Sequence, residues 1–375
     1  MAVLELSSED TLRLNVLINN VEAIRIEERT LTVFGLSSRG EARVQLNPTG
    51  RSDQYLRAVR EFLSSCALGS PGGYPVHLNR WTRMGQARDA NLATLLMLGE
   101  PEAIAAVVCA PGLTEELARR AWWADPSSEN ARRMLAREVV VQSEIGKVMA
   151  GHLIEHLPFE NEPHVIIETV RLVLQPGLVG ADVRQRLWEK GAAQTAYRIG
   201  FLEAEPDSLP QPLSARADFE ALRLALTDIA AGNNTLAELI LRVLDVPGQT
   251  FLATCEHALH KLSSQDAVVA LLNVLSRYFV ALHVHDVPLQ DVVSILEEAT
   301  HKLDSTSAAR EILAKIPGLR PEILAMYALA RMDEAVVTPV FARSSATGSL
   351  MRRKIEPEIS TILAQIAALR RTTHA

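Results

Sequence analysis

The spacing of apolar and polar positions changes period early in the chain. Ser7-Ser8-Glu9-Asp10 reads as a helix start, with Leu12, Val16 and Asn19 following at helical spacing. Ile24 and Ile26, Leu31 and Val33, and Val44 and Leu46 then alternate with polar neighbours, as half-buried strands do. Turn residues at Glu27-Glu28-Arg29 and Ser37-Ser38-Arg39-Gly40 separate them, which predicts a three-stranded antiparallel meander. The stripe of Leu56, Val59, Phe62 and Leu63, between about Asp53 and Ala67, predicts the helix that covers its apolar face.

From Gln86 onward the period is helical. Phe219, Leu222, Leu226 and Ile229 share one face, as do Val268, Leu271, Leu272, Leu275, Phe279 and Leu282. Pro101, Pro126, Pro288 and Pro321 suit first turns, where a missing N–H costs nothing, and Thr114 and Asp125 suit N-caps. Pro-Gly recurs at 111–112, 176–177, 247–248 and 317–318, roughly every 70 residues. A helix stop, a turn and a restart at that interval predict helical-hairpin repeats of an α-solenoid, HEAT- or armadillo-like in kind. The expected fold is therefore mainly α with a small N-terminal antiparallel β-meander. Its expected divisions are an α+β module over 1–85, a helical-repeat domain over 86–342, and a linker and amphipathic helix over 343–375. On that last helix Ile355, Ile359, Ile362, Ile366 and Leu369 form a stripe that needs cover, from the last repeat or by self-association through residues 355–369.

Composition supports helix packing. Apolar residues make up 48% of the 375 positions but aromatics only 5%, so the core is mostly aliphatic. With 38 basic against 45 acidic residues the net charge is −7, which argues against a general nucleic-acid binder. Cys66, Cys109 and Cys255 are sparse and unpatterned, and read as reduced core residues. Met1 to Glu9 carry two acids and no basic run, so no signal peptide is expected. No apolar stretch approaches a span of roughly 18 residues. A cytoplasmic protein without membrane insertion is the expectation.

The pattern most suggestive of chemistry is His152-Leu153-Ile154-Glu155-His156. Its H-x-x-E-H order matches the inverted zincins, with histidines at i and i+4 able to share one Zn²⁺ and Glu155 as general base. A zinc-dependent hydrolase is thus one alternative, opposed by helical flanks and by the lack of an evident third ligand. His257/His260 and His283/His285 lack a third partner too. Ala314-Lys315-Ile316-Pro317-Gly318-Leu319-Arg320 approaches a helix–hairpin–helix turn, but Arg320 replaces the second glycine. Walker, dinucleotide, G-x-S-x-G and C-x-x-C motifs are absent. No catalytic residue, metal or cofactor is assigned, and the chain reads as a non-enzyme. The irregular run 70–85 concentrates Tyr74, His77, Arg80, Trp81 and Arg83, residue types that anchor interfaces, and is the expected binding surface. Arg80, Arg83, Arg119, Arg120, Arg132 and Arg133 leave RNA as an alternative partner, in a post-transcriptional regulator.

Leu68-Gly69-Ser70-Pro71-Gly72-Gly73-Tyr74-Pro75 and Arg80-Trp81-Thr82-Arg83-Met84-Gly85 also carry a family resemblance. So do Ala110-Pro111-Gly112-Leu113-Thr114-Glu115-Glu116-Leu117-Ala118-Arg119-Arg120-Ala121-Trp122-Trp123 and Leu172-Val173-Leu174-Gln175-Pro176-Gly177-Leu178. Over about residues 50 to 190 the chain resembles the DsrS family, which accompanies the reverse-acting dissimilatory sulfite reductase system of sulfur-oxidising bacteria. The resemblance implies an accessory or regulatory protein of sulfur oxidation that acts through protein–protein contacts. It implies no catalytic residues.

Overall fold

The N-terminal alternation forms the expected meander. Strands β1 (Ala23–Glu27), β2 (Thr32–Ser37) and β3 (Gly40–Gln45) pair antiparallel in the order β1-β2-β3. Ile26 lies opposite Val33, which lies opposite Val44, so one face of the sheet is aliphatic. The structure is a computed structural model that describes residues 6–69, 89–283, 291–344 and 346–371. Among those residues it is mainly helical, with 21 α-helices and this one sheet.

Helix α1 (Ser8–Ile18) starts where the sequence places it, because the Ser7 side chain accepts the Asp10 N–H. Helix α2 (Ser52–Leu68) ends at Gly69 in the left-handed conformation. Leu14, Leu17, Ile24, Val33, Tyr55, Val59 and Leu63 form the core that α1 and α2 build on the sheet. Asp10 is buried inside this module and accepts from the Tyr55 hydroxyl at 2.6 Å and from the Asn47 N–H at 2.9 Å. Burial, and then the Asp10 carboxylate, push the Tyr55 pKa up.

The chain separates into two compact units, Met1–Pro158 with Pro176–Val179, and Phe159–Gln175 with Gly180–Ala375. In the first, the sheet continues into α3 (Asp89–Leu95): the Ile24 N–H donates to the Leu96 carbonyl at 2.9 Å. Then follow α4 (Pro101–Cys109), α5 (Glu115–Ala124), α6 (Ser128–Leu135), α7 (Glu138–Val141) and α8 (Glu144–His156). Thr114 caps α5 as expected, accepting the Leu117 N–H. Asp125 and Pro126 do not start α6. Ser127 is its N-cap, and Asp125 instead closes α5 and accepts from the Asn130 amide. Cys109 and Cys66 are exposed, so of the three cysteines Cys255 alone is a core residue.

The second unit holds α9 (Pro163–Val173), α10 (Ala181–Lys190), α11 (Thr195–Ala204), α12 (Phe219–Ala231), α13 (Thr235–Leu244) and α14 (Val246–His260). It continues with α15 (Gln265–Tyr278), α16 (Val292–Ser305), α17 (Ser307–Lys315), α18 (Arg320–Arg331), α19 (Thr338–Phe341), α20 (Gly348–Lys354) and α21 (Glu356–Arg370). Helices α9 and α11 pack closely because Gly200 faces Val170, whose Cβ would lie 2.6 Å from an added Cβ. The recurrent Pro-Gly pairs take different structures. Pro111-Gly112 and Pro176-Gly177 are turns, Pro317-Gly318 lies in a 3₁₀ turn, and Pro247-Gly248 sits inside the first turn of α14. There an added Cβ on Gly248 would meet the Arg242 and Val243 carbonyl oxygens at 2.4 Å, so a small residue is needed for α14 to follow α13.

The C-terminal stripe has its cover within the chain. Ile355, Ile359, Ile362, Ile366 and Leu369 are all buried, and α21 packs on α18 and α14. Self-association through residues 355–369 is thereby corrected: those side chains are already spent on the chain's own core. The expected linker is also shorter than the sequence indicates, since Gly348 and Ser349 already belong to α20.

Candidate protein-interaction site

The break between α20 and α21 opens a grooved surface on the second unit. Pro357 lies in the first turn of α21, where its missing N–H is tolerated, and Ile355 turns the chain between the two helices. Arg352, Arg353 and Lys354 end α20, where cations oppose the negative helix end. Glu356 and Glu358 open α21, where acids oppose the positive one. Helix α14 runs alongside and ends at His260.

Between them lies a groove of about 640 Å³. Only the edges of Leu259, Leu262, Ile355, Ile359 and Leu363, packed in the chain's own core and none more than 9% exposed, show at its apolar floor, and His260, Arg352, Arg353 and Glu356 stand exposed on its rim. Specific bonds tie the segment before α20 to the turn between α14 and α15. The Gly348 N–H donates to the Ser263 carbonyl at 2.9 Å, and the Gln265 amide donates to the carbonyls of Ser344 and Ala346. Arg352 reaches the Leu262 carbonyl at 3.4 Å, which leaves its remaining guanidinium N–H groups on the rim. An apolar trough edged by guanidinium groups suits a segment that alternates aliphatic and acidic side chains.

The residues singled out by the sequence fare differently. Tyr74, His77, Arg80, Trp81 and Arg83 lie outside the described residues. His152 and His156 stack at 4.0 Å between ring centroids, and each ring has another partner. His152 Nε2 bonds the Ser128 hydroxyl at 3.2 Å, Trp122 packs edge-on against its ring, and His156 Nδ1 bonds the His152 carbonyl at 2.8 Å. Burial, and then the neighbouring His156, lower the His152 pKa. Among the described residues no third ligand atom joins these two, and Glu155 does not converge with them. The one convergent set there is Glu162, His164 and Asp266, all exposed, with His164 Nδ1 3.4 Å from an Asp266 carboxylate oxygen. Glu162 and Asp266 sit at the N-termini of α9 and α15, where an acid already has the helix dipole to answer.

Of the arginines that suggest RNA, Arg119, Arg120 and Arg133 are engaged with acids, and Arg80 and Arg83 lie outside the described residues. Arg119 and Arg120 both bind Glu116, whose carboxyl is held down at about 2 chiefly by the Arg119 hydrogen bond. Arg120 also pairs with Glu22, and Arg133 pairs with Glu129. Phosphate binding at these three positions would have to compete with those acids.

In the sequence, Met351-Arg352-Arg353-Lys354 directly precedes the last amphipathic helix and by itself reads as no more than the approach to it. A basic run abutting an amphipathic helix was the available signal, but its apolar counterpart, Leu259 and Leu262, lies some ninety residues earlier in the chain. No helix among the described residues is long and apolar enough to cross a membrane. Comparison of the chain with protein-family models, with curated proteins and with solved structures finds no match.

Proposed function

We propose that this chain is a non-enzymatic accessory or regulatory protein of bacterial sulfur oxidation, working in the cytoplasm through protein–protein contacts. The observation that carries the contact reading is the groove between α14, α20 and α21, with its aliphatic floor and its rim of Arg352 and Arg353. A partner segment with alternating apolar and acidic side chains would bury the first against the floor and pair the second with the rim. The sulfur-oxidation assignment rests on the resemblance to the DsrS family over about residues 50 to 190. The Tyr74, His77, Arg80, Trp81 and Arg83 run is kept as a second contact surface on the strength of its residue types.

The scaffold reading is one of stacked helical hairpins, HEAT- or armadillo-like in principle. Its support is sequential pairing: α12 packs on α13, α13 on α14, and α16 on α17. Helix α21, which returns to pack on α14 and α18, is a closing element that an open repeat array would not contain.

Affinity purification of the tagged protein from sulfur-grown source cells, with and without RNase, tests the function. Recovery of sulfur-oxidation enzymes regardless of RNase supports it. Recovery of RNA without those enzymes replaces it with the regulator reading, and recovery of neither contradicts it.

A further inference from the structure

The free edge of the sheet carries an inference separate from the groove. In the β2–β3 ladder the Leu46 N–H donates to the Leu31 carbonyl at 2.9 Å, which sets the parity of every pair above it. Val44, Ala42 and Gly40 direct their backbone groups toward β2. Glu41, Arg43 and Gln45 direct theirs outward, and among the described residues those outward groups meet no backbone partner. Nearly all of β3 is exposed: every residue from Gly40 to Arg43, and Gln45 as well.

Side chains alternate across the same strand. Glu41 and Arg43 share one face, while Gly40, Ala42 and Val44 share the other, on the side of α1. Beside this edge runs a groove of about 610 Å³, lined by Leu12, Val16 and Leu17 of α1 and by Ala42, Arg43 and Val44. Leu12 is 66% exposed and Val16 59%, one helical turn apart on an otherwise amphipathic helix.

A charged edge ordinarily repels a second strand. Here the two charges are opposite in sign and two residues apart. We propose that β3 pairs antiparallel with β3 of a second copy of this chain about a two-fold axis at Ala42, joining the two sheets into one of six strands. In that register Glu41 faces Arg43 of the other copy, and Arg43 faces its Glu41. These are the residues whose backbone groups point outward, so each such pair exchanges two N–H···O bonds. Arg25 and the Trp123 indole N–H both bind Glu41 Oε2, at 3.3 and 3.0 Å, which leaves Oε1 for the incoming guanidinium. Arg43 has no acid partner among the described residues. At the axis Ala42 meets Ala42, small enough for Leu12 and Val16 of the two copies to close over the seam. A register shifted by one residue would set the charged face of one copy against the apolar face of the other. Centring the axis on Arg43 would oppose like charges.

Sedimentation velocity on the full chain tests this. The wild type is expected to dimerise, while Arg43→Glu and Glu41→Lys each weaken the dimer by at least about tenfold, because each makes both cross-pairs repulsive. Mixing those two variants should restore a dimer. The native Glu41 of one chain then faces the native Arg43 of the other, and the two introduced side chains, opposite in sign, face each other. Arg43→Pro leaves the β2–β3 ladder intact, because the lost N–H points outward, and should also give monomer. It supplies the reading if Glu41→Lys, which loses Arg25 and Trp123, fails to fold by circular dichroism. A wild type that stays monomeric at about 100 μM overturns the proposal. A dimer indifferent to Arg43→Glu and Arg43→Pro, or one that the folded mixture does not restore, overturns it as well.

Discussion

Arg216 donates to Glu322 at 2.9 Å across 106 residues of sequence, with the two side chains only 4% and 3% exposed. The same guanidinium reaches the Leu369 carbonyl at 3.2 Å and both oxygens of Asp218. Arg371 adds bonds to Glu322 at 3.1 Å and to Asp218 at 2.5 Å. This cluster ties the segment before α12, the first turn of α18 and the end of α21 together. Removing Arg216 takes from the buried Glu322 its buried guanidinium partner and leaves it only the half-exposed Arg371. Arg216→Ala should therefore cost about 3 kcal/mol in urea unfolding. A loss below about 1 kcal/mol would show that the pair is solvated in solution.

The α21 stripe makes a related prediction. Deleting residues 344–375 uncovers the faces of α14 and α18 on which α21 packs. Each buried Ile or Leu of the stripe contributes about 1.5–3 kcal/mol. The truncated protein should bind a hydrophobic dye, aggregate on gel filtration and melt well below the full chain. An equally stable, dye-silent product would mean that α21 is a detachable arm.

The first unit contains a buried acid with a pH signature. Glu100 occupies the N-cap position of α4 without a capping side-chain bond and lies 2.5 Å from Arg60, which also pairs with Glu28. Burial outweighs Arg60 and pushes the Glu100 pKa up to about 7. Between the ordinary value of 4.5 and about 7 the folded protein keeps a proton that the unfolded chain has released. Stability should fall as pH rises through that window, by on the order of 3 kcal/mol, and level off above it. Glu100→Gln should flatten the slope in melts taken from pH 4.5 to 8. An unchanged slope would assign it to other groups.

His152 and His156 should behave as packing residues. His152→Ala removes the contacts with Trp122 and Ser128 and should cost about 1 kcal/mol. Equilibrium dialysis against zinc should find no stoichiometric site that this substitution abolishes. A zinc equivalent lost on His152→Ala would restore the hydrolase reading.

What could be read from the sequence was local. Alternation at Ile24/Ile26 and Val44/Leu46 places the strands, Ser7 and Thr114 place helix starts, and the isoleucine stripe announces α21. What escaped it depends on distance or on competition between neighbouring residues. Asp125 and Pro126 look like a helix start, yet Ser127 offers the better-placed hydroxyl and takes the cap. Pro-Gly marks a break in some contexts and the first turn of α14 in another, because proline suits both. Nothing in the spacing of Arg216, Glu322 and Leu369 reveals that they meet. For the same reason the floor of the α14–α20–α21 groove was invisible while its basic rim was in plain view.

The central claim is that the groove rimmed by Arg352 and Arg353 receives an acidic, apolar segment of a protein partner. Its most direct test is to repeat the affinity purification from sulfur-grown cells with Arg352→Glu/Arg353→Glu beside the wild type, both RNase-treated and both verified as folded by thermal melting. Both side chains are exposed, but Arg352 gives up its bond to the Leu262 carbonyl, so the melting comparison decides whether the fold is kept. The account predicts that sulfur-oxidation enzymes co-purify with the wild type and drop at least about tenfold with the charge-reversed protein. Equal recovery by the two proteins, or recovery by neither, would contradict it.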